Sequence, residues 1–101
     1  MVKVFLIGNL TKDPELTTFQ DGGSVCKMSV AVNRKSQDKT DYFTVIAWRL
    51  LAENCSKFLG KGSKVAVCGE LQNRSYETQS GEKRYVTEII AEEVQFLTGK
   101  K

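Results

Sequence analysis

The chain has 101 residues with a net charge of +3, no histidine, three cysteines, one proline and eight glycines. That length suits one domain, residues 1–101, with a modest core, and 41% hydrophobic against 27% charged residues excludes disordered, collagen-like and fibrous classes. Without histidine the commonest general base and a frequent zinc ligand are both missing, and the three cysteines lack metal-ligand spacing, so no catalytic residue, metal or cofactor is expected.

The first apolar run, residues 3–7, ends at Gly8-Asn9, and residues 15–19 form a weaker extended stretch after Asp13-Pro14, where proline disfavours helix. Both read as strand. Asp21-Gly22-Gly23 signals a turn, and in residues 25–33 Cys26, Met28, Val30 and Val32 alternate with more polar neighbours, as in a half-buried strand. After the polar segment 36–40, residues 41–48 run Asp-Tyr-Phe-Thr-Val-Ile-Ala-Trp, rich in β-branched and aromatic side chains that favour strand. The period then changes. Leu51, Ala52, Cys55, Phe58 and Leu59 recur at three- and four-residue spacing, predicting one amphipathic helix with Gly60 as its C-cap glycine. Residues 64–72 return to strand and continue through Arg74-Ser75-Tyr76 to the turn Gln79-Ser80-Gly81, and a last strand runs from 84 to 94 or 96.

With the two N-terminal segments counted together, the order is three strands, a helix and two strands. A five-stranded antiparallel all-β barrel with one helix between strands 3 and 4 has this order, which is that of the oligonucleotide-binding (OB) fold. No apolar run nears the roughly 20 residues that span a bilayer, and no secretory signal is present, so a reducing, cytoplasmic setting without membrane contact is expected.

Enzymatic motifs fail on inspection. Gly60-Lys61-Gly62-Ser63 superficially matches a phosphate-binding loop, but it follows a helix and precedes a strand, the reverse of what that loop requires. Glu92 and Glu93 are adjacent on a strand, so alternation should point them to opposite faces, each solvated.

Placement favours binding instead. Basic side chains concentrate at strand ends and turns, and acids near the helix and in Glu88, Glu92 and Glu93, a separation that would leave a basic groove. On the third strand Phe43, Val45 and Ala47 share the core face, while Tyr42, Thr44, Ile46 and Trp48 share the other. On the fourth, Val65, Val67, Gly69 and Leu71 turn inward and Gln72, Arg74 and Tyr76 outward. Three outward aromatics among cations suit single-stranded nucleic acid: each base stacked on an aromatic ring is worth about 1 to 3 kcal/mol, and Lys and Arg follow the phosphates.

Val4-Phe5-Leu6-Ile7-Gly8-Asn9-Leu10, Asp13-Pro14-Glu15-Leu16, Ala47-Trp48-Arg49, Ala52-Glu53-Asn54, Lys61-Gly62-Ser63, Gly69-Glu70-Leu71 and Arg74-Ser75-Tyr76 carry a resemblance to the bacterial single-stranded DNA-binding proteins over essentially the whole chain. The resemblance implies a homo-oligomer, a tetramer of OB barrels, that wraps single-stranded DNA during replication, recombination and repair in the bacterial cytoplasm, at the nucleoid. It places Tyr42, Trp48 and Tyr76 on base-stacking positions, Lys3, Lys61 and Arg74 on phosphate positions, and Phe43 at a subunit contact. Arg34, Lys35, Arg49 and Arg84 join the phosphate set from their placement. Two departures stand out: Arg34-Lys35-Ser36-Gln37 supplies no further stacking aromatic, and no acidic C-terminal tip follows Lys101. Recruitment of replication or repair proteins is therefore not expected of this short form. The competing reading is a primosome-type accessory subunit on the same barrel, acting mainly through protein contacts.

Overall fold

A computed structural model describes residues 1–100. Strands β1 (Lys3–Leu10), β2 (Glu15–Thr18), β3 (Ser24–Arg34) and β4 (Lys39–Trp48) precede helix α1 (Arg49–Phe58), and β5 (Lys64–Glu77) and β6 (Lys83–Phe96) follow it. Alternation dictates the strands: on β3 Cys26, Met28 and Val30 are fully enclosed while Lys27 is exposed. On β5 Val65 and Val67 are fully enclosed, and the side chains from Gln72 onward are exposed.

Five strands close the barrel. Neighbours run β1, β5, β6, β4, β3, and β3 returns to β1 through Asn9 opposite Ala31 and Leu10 opposite Val30. Short β2 pairs only with β3 and continues the path of β1 past Asp13-Pro14. The helix sits between the third and fourth barrel strands, β4 and β5. This is the OB fold.

The expected all-antiparallel pairing fails at one place: β4 and β6 run parallel, with Thr44, Ile46 and their neighbour Val45 opposite Glu88, Ile90 and Ile89. The reason is topological. Strand direction cannot alternate all the way around a ring with an odd number of strands, so one neighbouring pair must be parallel.

The core is filled by Leu6, Leu10, Met28, Val30, Val45, Val67 and Ile89 from the strands, and capped by Ala52, Cys55 and Leu59 from α1. Burial raises the Cys26 thiol to a pKa of about 11 and that of Cys55 to about 12, so both stay protonated at neutral pH. Phe58, expected on the buried face of the helix, is instead half-exposed and lies against Phe96, with ring centroids 6.2 Å apart. The helix also ends differently from expectation. Leu59, not Gly60, is the C-cap and is extended, because turning the chain there drives its side chain into the core. The left-handed residue is Gly62, at φ +89°.

Two glycines allow the strands to cross closely. A methyl group on Gly8 would overlap the Ala31 carbonyl oxygen, and one on Gly69 would overlap that of Ile90. Opposite Gly69 the register shifts: Cys68 faces Glu93, but Gly69 faces Ala91, leaving Glu92 as the extra residue of a β-bulge. The bulge reverses alternation, so Ile89 and Ala91 are followed inward by Val94. Glu92 and Glu93 consequently both reach the outer side, against the expectation of opposite faces: Glu92 pairs with Lys3, and Glu93 lines a hollow with Phe5 and Cys68.

Gly8→Ala and Gly69→Ala should each destabilise the domain by about 1 to 3 kcal/mol, read from urea unfolding, because backbone on both sides must move. In the native protein Cys26 and Cys55 should resist iodoacetamide and become labelled only on unfolding, as followed by mass spectrometry.

Candidate nucleic-acid interface

The outer face of the barrel carries the candidate site. Pairing places Trp48 beside Val25, Ile46 between Lys27 and Ile90, and Thr44 between Ser29 and Glu88. Across β6, Glu88 is opposite Gln72, Val86 opposite Arg74, and Arg84 opposite Tyr76. Side chains of the same parity on β3, β4, β6 and β5 therefore form one continuous surface.

Two hollows indent it. One of about 500 Å³ is lined by Val25, Ile46, Trp48, Gln72, Arg74, Glu88 and Ile90. The other, about 460 Å³, is lined by Lys27, Thr44, Arg74, Tyr76, Val86, Thr87 and Glu88. They share Arg74 and Glu88, which form the saddle between a tryptophan end and a tyrosine end. Ile46, expected outward, does face this surface but is nearly enclosed, because neighbouring strands supply walls on both sides.

Trp48 is 49% exposed, Tyr76 47% and Tyr42 69%. Tyr42 stands on the face of β4 that carries Thr44, opposite Ala31 of β3. Trp48 is held from one side by Phe19, whose ring lies 6.4 Å away at an interplanar angle of 22°. Directly after Trp48 the backbone turns sharply: Arg49 has φ +58°, a left-handed conformation that costs a non-glycine residue roughly 1 kcal/mol. The chain thereby swings from β4 into α1 with the indole at the corner.

The cations divide into paired and unpaired. Arg74 donates from Nε to Glu88 Oε1 at 2.9 Å and from Nη2 to Oε2 at 3.3 Å, and its guanidinium carbon lies 5.9 Å from the centre of the Tyr76 ring. These hydrogen bonds raise the Arg74 pKa above its ordinary value. Arg34 grips Asp41 with two bonds of 2.7 and 2.9 Å, which hold the Asp41 carboxyl below its usual range. Lys3 pairs with Glu92, and Arg84 lies 3.4 Å from Glu82. The expected separation of bases from acids thus breaks down at Glu88 and Glu92, because adjacent strands bring residues distant in sequence into contact.

Of the phosphate positions named from sequence, Arg74 alone lines the two hollows, with Arg84 next to Tyr76 at the tyrosine end. Lys3 is on the outer face of β1, opposite Glu70. Lys61 borders a different hollow with Asp13, Ser56 and Lys100, its backbone N–H bound to Asp13 Oδ1 at 2.8 Å. Lys35 is at the exposed β3–β4 turn, and Arg49 is exposed after Trp48. Phe43 is partly buried against the core. Sequence reading missed two participants: Lys27, whose alternation with Cys26 and Met28 does place it outward, and Phe19, whose proximity to Trp48 no local pattern reveals.

A barrel of this kind with aromatics at both ends of an open, partly cationic groove belongs to the class of OB-fold domains suited to extended, unpaired strands. The sequence model of the single-strand binding protein family matches residues 1–97, and the chain belongs to that family. It is 43% identical over 103 residues to single-stranded DNA-binding protein 1 of Staphylococcus aureus strain Mu50, covering 97% of this chain and 66% of the relative. Single-stranded DNA-binding protein 3 of Listeria innocua is 44% identical over 106 residues, covering 100% of this chain and 66% of the relative. Single-stranded DNA-binding protein A of Bacillus subtilis strain 168 is 45% identical over 103 residues, covering 97% and 60%. The chain thus spans about two thirds or less of the length of these relatives.

Phe19→Ala should make Trp48 more accessible to acrylamide, with a red-shifted emission, while changing stability by no more than about 0.5 kcal/mol, since Phe19 is itself half-exposed.

Proposed function

We propose that this domain binds single-stranded DNA without sequence preference, protecting it in replication, recombination and repair, and that it carries no enzymatic activity. The observation that carries the reading is the groove itself, with Trp48 and Tyr76 at its two ends and Lys27 and Arg84 along its margin. Bases stack on rings, which ask for a π-face and not for a particular hydrogen-bond pattern, and phosphates meet the cations at the margin. Duplex DNA offers no free base faces. Tyr42, farther along β4, extends the stacking track, and Lys35, Arg49 and Lys61 add positive potential beyond the groove, whereas the charges of Lys3 and Arg34 are matched by Glu92 and Asp41.

The domain works as a homo-oligomer, a tetramer, in the cytoplasm. Two features support self-association. Most of β1 lacks a partner on the edge away from β5, and its outer face presents Phe5, 68% exposed, and Ile7, 45% exposed. An uncovered edge with apolar side chains is costly for a monomer. Phe43 is assigned to a subunit contact through its partly exposed rim. Among the described residues no helix is long and apolar enough to cross a membrane.

Long oligothymidine should quench the fluorescence of Trp48, the sole tryptophan, and a matched duplex should not. Trp48→Ala and Tyr76→Ala should each weaken binding by about 5- to 150-fold, the equivalent of one lost stack, with the oligomer intact in sedimentation. The logarithm of affinity should fall with that of salt by about 0.7 per phosphate neutralised. Absence of quenching together with absence of binding by a folded oligomer overturns the reading in favour of a protein-contact subunit.

A further inference from the structure

Glu88 has no role in the reading above. Among the described residues it is the one buried acid, 8% exposed, and it stands on the floor of a groove proposed to receive a polyanion. Three strands fix it there. Thr44 of β4 is its neighbour on one side, Gln72 of β5 on the other, and Arg74 closes over it with two hydrogen bonds. The side chain is only 11% exposed, so the carboxylate cannot swing out to solvent as a surface acid could.

We infer that Glu88 is a specificity residue which keeps phosphates off the groove floor and reserves it for bases. The inference rests on the single-stranded DNA reading. A phosphate approaching Arg74 meets a guanidinium already engaged by a carboxylate in fork geometry, and must come into contact with that fixed negative charge. A base meets no such penalty. With its charge matched inside the protein, the guanidinium acts as a flat surface next to Tyr76, on which a stack of bases can continue. Each carboxylate oxygen also keeps lone-pair capacity beyond the bond it accepts from Arg74, available to base N–H donors but not to phosphate. The strand therefore lies bases inward, with its backbone toward Lys27 and Arg84. Arg74 is a stacking surface and not a phosphate ligand, in contrast to its assignment from sequence.

The test compares the whole chain, Glu88→Gln and Arg74→Gln, with two labelled ligands of equal length: oligothymidine and an abasic oligodeoxyribose phosphate. Anisotropy titrations over a range of salt give affinity and salt slope for each. In Glu88→Gln the preference for the thymidine ligand should fall by at least about threefold, and the slope should steepen by about 0.7 as Arg74 becomes free to take one phosphate. In Arg74→Gln the slope for oligothymidine should stay as in the unaltered protein, because the charge removed was already matched. A slope that flattens by about 0.7 in Arg74→Gln identifies Arg74 as a phosphate ligand and overturns the inference. So does a Glu88→Gln variant in which both ligands tighten or weaken by the same factor. If circular dichroism shows Glu88→Gln unfolded, the slope of Arg74→Gln decides, since Arg74 is more than half exposed and the glutamine amide put in its place can still donate a hydrogen bond to the Glu88 carboxylate. Failure of the underlying reading looks different: the unaltered protein then binds neither ligand.

Discussion

The close passage of backbones at Gly8 and Gly69 is the constraint on which the rest of the molecule depends. At Gly8, β1, still paired with β5, comes against β3, and only the missing side chain lets it lie against the Ala31 carbonyl. At Gly69, β6 lies equally close, and the extra residue Glu92 on the same stretch absorbs the resulting change of register. Together these features coil two long strands tightly enough for β6 to reach β4. Their short parallel contact sets Glu88 next to Thr44 and, through β5, brings Arg74 over both. The groove is thus a by-product of ring closure.

Its chemistry follows from which charges closure brings together. A net charge of +3 is too small to describe a binding surface by itself. Arg34, Lys3, Arg74 and Arg84 each face an acid, whereas among the described residues Lys27, Lys35, Arg49 and Lys61 have none within ion-pair distance. Exposed pairs such as Lys3 with Glu92 add little stability, but they do remove a charge from the surface potential. The Arg74–Glu88 pair differs, because its acid is buried in the sheet and cannot exchange its partner for water at low cost.

Much of this was legible in the residues. The alternation of β3 and β4, the change of period at Leu51 and the outward parity of Arg74 and Tyr76 all follow from local side-chain chemistry, as does the outward placement of Tyr42 and Trp48. The errors share one origin. Strict alternation puts Glu92 and Glu93 on opposite faces, and a bulge breaks it. Glycine commonly caps a helix, which points to Gly60, but the demand of Leu59 for the core moves the left-handed turn to Gly62. Phe58 fitted the helical period, yet the stripe that the barrel can accept is narrower than the stripe the sequence offers, so its ring meets Phe96 at the surface.

By itself the sequence determined the elements, their order and the chemical kinds available for binding, because periodicity, turn residues and side-chain type act over a few neighbouring positions. Tertiary structure alone decided the parallel pair, the support of Trp48 by Phe19, the closeness of Lys27 to Tyr76 across the groove and the capture of Arg74 by Glu88. These depend on contacts between residues far apart in the chain, whose registers are set only when the ring closes and its backbones come within reach of one another.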